Sequence, residues 1–95
     1  MELSSASNHV TIKGNIKTIS DFQNIKNCLD DLKTKHNNIV ISIIDSLSIT
    51  SSVIGYFSKL VLKDAVNLSL KIGNSQLMNL LDDLQLSSTF NASKM

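Results

Sequence analysis

The chain of 95 residues has no proline, no tryptophan and no arginine, one cysteine, three glycines and few aromatics. A lone thiol, Cys28, allows no intrachain disulfide, and no second thiol is present to complete a thiolate metal site. Without arginine the bidentate fork that reads guanine or phosphate is missing, and the nine lysines are scattered instead of forming a stripe, so no nucleic-acid partner is expected. The longest apolar runs, around Ile39–Ile44 and Leu60–Leu62, fall far short of the ~20 residues that span a bilayer, which argues against membrane insertion. No charged segment followed by an apolar one opens the chain, and with no disulfide this points to the cytoplasm.

Catalytic equipment is equally sparse. No Gly-rich phosphate loop occurs, and His9 and His36 have no acids at ligand spacing. Asp30-Asp31 and Asp82-Asp83 read as solvated helix faces, not as paired catalytic carboxylates. The expectation is a non-enzyme that needs no cofactor and no metal.

What is present is a core. Hydrophobic residues make up 42% against 18% charged, with a net charge of +1, the balance of one folded domain. That domain is expected to span residues 1–95, with 1–7 and 91–95 frayed. Val10 and Ile12 alternate with polar neighbours up to Lys13, as in a half-buried strand. Ser20 and Gln23 have the spacing of a capping box, predicting a helix to about Lys35 with Phe22, Ile25, Leu29 and Leu32 inward. Ile39–Ile44 is almost unbroken β-branched sequence, expected as a central strand buried on both faces. From Ser52 to Asp64 the spacing is helical, with Val53, Phe57, Leu60, Val61 and Ala65 inward and Tyr56, Lys59 and Lys63 outward. Leu68, Leu70 and Ile72 alternate as a further strand, and Leu77, Leu80, Leu81 and Leu84 line a last helix. Strands joined by helices should run parallel through right-handed crossovers, so the class is α/β, a small mixed sheet with helices packed against it.

The hydroxyl-rich stretch between the central strand and the next helix is the most informative. A helix start gathers unpaired N–H groups and the positive end of the macrodipole, so an anion there is stabilised in advance. Ser51 and Ser52 are therefore candidates for phosphorylation, and equally for simple N-caps of the helix.

Over most of its length the chain resembles the STAS domain, the sulfate-transporter and anti-sigma-factor-antagonist family. Val10-Thr11-Ile12-Lys13-Gly14-Asn15-Ile16 resembles the family's strand running into glycine, a polar residue and leucine. After the central strand, the Asp-Ser-Ser-Gly motif falls on Thr50-Ser51-Ser52-Val53, and Gly55 matches a following glycine. Thr50 replaces the usual Asp and Val53 the usual Gly. The resemblance implies a protein that binds a serine kinase or anti-sigma factor and is switched by phosphorylation of Ser51, or of Ser52 if the motif is read one residue later. It equally admits an unphosphorylated subunit bracing an ABC transporter ATPase. Thr50, Val53, Tyr56, Lys59 and Lys63 would then lie on the partner surface, although the last three also read as an ordinary solvated face.

Overall fold

The computed structural model describes residues 1–95 and runs β1 (Glu2–Ala6), β2 (His9–Lys13), α1 (Ile19–Leu32), β3 (Asn38–Ile43), α2 (Ser51–Leu62), β4 (Asn67–Ile72), α3 (Ser75–Asp83) and β5 (Ala92–Lys94). The five strands form one mixed sheet in sequence order, β1 antiparallel to β2 and the rest parallel. Each helix thus connects two adjacent parallel strands. Successive right-handed crossovers that all step in one direction put every helix on the same face.

That arrangement corrects the expectation of a central strand buried on both sides. Ile39, Ile41 and Ile43 are sealed beneath the helices with Val10, Ile12, Leu68, Leu70 and Ile72. The alternate residues, among them His9, Lys13, Val40, Asn67 and Lys71, face away from the helices. Ser42, the one interruption in the β-branched run, belongs to this helix-free face yet is itself buried, its Oγ 2.6 Å from His9 Nε2.

Both terminal segments join the sheet. Residues 2–6 pair in full with β2, Leu3 opposite Ile12, and 92–94 pair with β4. Phe90, fully buried and edge-to-face with Phe57 at 5.8 Å, anchors the C-terminal strand from within the core. Edge pairing of a short hydroxyl-rich segment needs only its backbone donors and acceptors, so the pattern of side chains gives no sign of it.

Some boundaries also shift. The first helix is capped by Thr18, whose hydroxyl accepts from Asp21 N–H while the Asp21 carboxylate accepts from Thr18 N–H. The box thus sits two residues before Ser20, and the helix ends at Leu32. Val61 is only half-buried, and Ala65 lies beyond α2, exposed and at φ +55°. Leu84 stands 48% exposed, outside the core it was expected to join. Gly73 marks the closest backbone approach: a Cβ there would meet the Ile44 carbonyl oxygen at 1.9 Å. No helix is long and apolar enough to cross a membrane.

Candidate functional site

Two loops at the carboxyl ends of β2 and β3 lead into α1 and α2, and three hydrogen bonds tie one to the other. Gly14 N–H donates to Asp45 Oδ1 at 2.7 Å, Ile16 N–H to Ser46 Oγ at 3.0 Å, and Leu47 N–H to Asn15 Oδ1 at 2.9 Å. Ser46 Oγ, completely buried, donates onward to the Ser48 carbonyl at 2.6 Å. Asp45 therefore serves the loop as a turn acceptor. The role of Ser46 was not foreseen; its only sequence signal is a small hydroxyl residue in a loop after an apolar strand.

Helix α2 then starts on Thr50, not on either serine. The Thr50 hydroxyl accepts from Val53 N–H at 3.3 Å. Ser51 and Ser52 occupy the first two helical positions, both exposed, and the first turn holds no acidic residue. The cap reading of Ser51 and Ser52 is thereby replaced by Thr50, which does what an Asp at that position would do.

Between the two helix starts lies a cleft of about 340 Å³, walled by Lys17, Ile19, Phe22 and Gln23 on one side and by Thr50 and Ser52 on the other. Ile19 is 78% exposed on its rim. Nothing in the sequence marked this wall, since Ile19 precedes the capping box expected at Ser20 and Gln23.

Two residues leave the expected partner surface. Val53 is fully buried, its side chain in the core where the motif would have glycine. Tyr56, expected to face outward, is buried and joins α1 to α2. Its hydroxyl donates to the Asp30 carboxylate, its ring packs edge-to-face on Phe22 at 6.4 Å, and the Lys26 and Lys59 ammonium groups stand 5.7 and 5.9 Å from the ring centroid. Val53, Tyr56, Phe57 and Leu60 in fact form one inward stripe at helical spacing.

Around this clasp the charges are paired. Lys26 reaches Asp30 at 2.7 Å, and Lys33 bridges Asp30 at 3.4 Å and Asp64 at 3.1 Å. The Lys26 hydrogen bond, helped by the Tyr56 hydroxyl, holds the Asp30 carboxyl at about 2. Burial and the Asp30 charge push the Tyr56 hydroxyl well above its ordinary range, so it remains a donor. Lys59 and Lys63 are exposed; Lys59 lies 3.6 Å from Asp64.

No family model, no curated protein and no solved structure matches the chain. The likeness to STAS domains rests on the residues of the chain alone.

Proposed function

We propose that this chain is a small non-enzymatic regulatory protein of the anti-sigma-factor-antagonist type. It binds a serine kinase or anti-sigma factor through the region where α1 and α2 begin, and phosphorylation of Ser51 sets the affinity. The observation that carries this reading is the start of α2. Thr50 already satisfies the cap, so the Ser51 hydroxyl is exposed at the first helical position with no carboxylate of the first turn to repel a phosphate. Adding roughly −1.5 to −2 charges there leaves the helix favoured by its own dipole while changing the sign of the docking surface.

Gly55 supports the same surface. It lies one turn beyond Ser51 on the exposed side of α2, where a Cβ would meet nothing within 4 Å. A mid-helix glycine costs about 1 kcal/mol relative to alanine, and internal packing does not require it here. A flat helix face admits a partner backbone closely.

The second reading, an unphosphorylated subunit bracing an ABC transporter ATPase, is favoured by Thr50 in place of Asp and by the burial of Val53. Intact-mass analysis and peptide mapping of the protein recovered from its native cells separate the two. Phosphate on Ser51, abolished by Ser51→Ala, is the expected result. A protein free of phosphate at Ser51 and Ser52, in cells where its partner complex forms and dissociates normally, overturns the switch and leaves the brace.

A further inference from the structure

The largest cleft of the molecule, about 550 Å³, includes neither Tyr56 nor Ser51 in its walls and opens between the β3–α2 loop and α3. Its walls are Leu47 and Ser48 on the loop and Gln76, Asn79, Leu80 and Asp83 on the helix, one stripe at spacings of three, one and three. Leu47 is 46% exposed, and Leu84, one turn beyond Leu80, is 48% exposed. The helix ends on Asp82 and Asp83 with no basic residue in its last turn, and neither carboxylate belongs to any of the five ion pairs. Negative charge at a helix C-terminus opposes the macrodipole, so this end of α3 is electrostatically unfavourable in the isolated chain. It asks for an apolar side chain flanked by cations.

The same chain carries such an element. Leu62, 74% exposed at the end of α2, lies between Lys59 and Lys63 on one helical face, and α2 contains no acidic residue. Lys63 takes part in no ion pair. The helix starts next to the Leu47 loop and runs away from it for 12 residues, about 18 Å, so no copy reaches its own cleft.

We infer that copies of this chain associate head to tail, with Leu62 and its flanking lysines seated in the leucine and aspartate cleft of the next copy. Because donor and acceptor are different surfaces, the contact is heterologous and propagates unless the rotation closes a ring. It does not depend on Ser51 being phosphorylated.

Sedimentation of the full chain across a concentration series tests this. The weight-average mass is expected to climb past twice the 10.4 kDa of the single chain, and to fall back when salt is raised toward ~1 M, where the Debye length shrinks to about 3 Å. Leu62→Asp, which lacks the donor, and Asp83→Lys, which lacks the acceptor, should each remain folded single chains, since both positions are exposed, with melting shifted only slightly, down for Leu62→Asp and up for Asp83→Lys, by the charge placed at a helix C-terminus. Mixed together they should form a one-to-one pair that grows no further, because each supplies the surface the other has lost. A single chain at every concentration overturns the proposal, as does association that survives both substitutions, or a mixture that fails to pair.

Discussion

Helix α1 opens with a full set of internal partners: Thr18 and Asp21 satisfy each other's backbone groups, and the Asp21 carboxylate also accepts from Lys17 N–H at 3.0 Å. Those N–H donors, that of Lys17 foremost, hold Asp21 below the ordinary carboxylate range. Helix α2, set alongside it, opens on Thr50 alone, with two serines where α1 has isoleucine and serine and with valine in place of the N3 acid. Both starts stand on the same pair of cross-linked loops. One has its anion built in; the other has the geometry for an anion and none present. A helix start closed by its own carboxylate has no use for phosphate, whereas one capped only by a neutral hydroxyl gains from it.

The shared loops hold both helix starts at once, and Ser46 is the residue whose loss separates them most readily. Ser46→Ala leaves the buried Ile16 N–H and the Ser48 carbonyl without their partner, at a cost of about 1–3 kcal/mol. Chemical denaturation should read that loss, and amide exchange should quicken at the first turns of both helices. Exchange that quickens at one helix only would mean that the loops act separately.

The next effect concerns the clasp that keeps the two helices side by side. Tyr56→Phe removes the hydrogen bond to Asp30 while retaining the ring on Phe22, for a loss of about 1 kcal/mol. Acid reads the same contact. Asp30 titrates at about 2 in the folded chain, below its ordinary 3.8, so its contribution is present above the ordinary value and disappears as pH falls through about 2. Thermal melts should be level near neutrality and drop between these two values, and Asp30→Asn should flatten the drop. Asp21 and Asp64 are also lowered, so part of the slope remains. A profile unchanged by Asp30→Asn would remove the clasp from the account.

Much of this frame is legible in the residues because apolar periodicity is a direct record of burial. Val10 and Ile12, Ile39 to Ile43, and Leu68 to Ile72 mark three strands, and their alternation with helices gives a parallel sheet. What escapes is what backbone or context decides. The edge strands at 2–6 and 92–94 bury little, and hydroxyl side chains carry no period. Thr18 with Asp21 and Ser20 with Gln23 are two capping boxes two residues apart, and only the chain's path out of the Gly14 loop chooses between them. Tyr56, expected outward with Lys59 and Lys63, has the spacing from Val53 and Leu60 of a core residue; a buried phenol needs an acceptor, and Asp30 lies on another element. The cleft at Ile19 and Thr50 depends on how two loops are tied, which no local pattern encodes.

The smallest effect bears most directly on the contrast between the two starts. Ser51→Asp puts a carboxylate at the first position of α2, where the macrodipole favours it by about 0.3–1 kcal/mol at low salt. The variant should melt at or slightly above the parent, and the gain should shrink as salt is added. Asp21→Asn, the opposite change in α1, should lower the melting temperature, since an amide accepts from Lys17 and Thr18 N–H without the charge. Opposite signs at the two starts are what a closed and an open helix end require. If Ser51→Asp is instead destabilising by as much as Asp21→Asn, the start of α2 has no room for an anion, and phosphate at Ser51 would act by disrupting the helix and not by changing the charge of an intact surface.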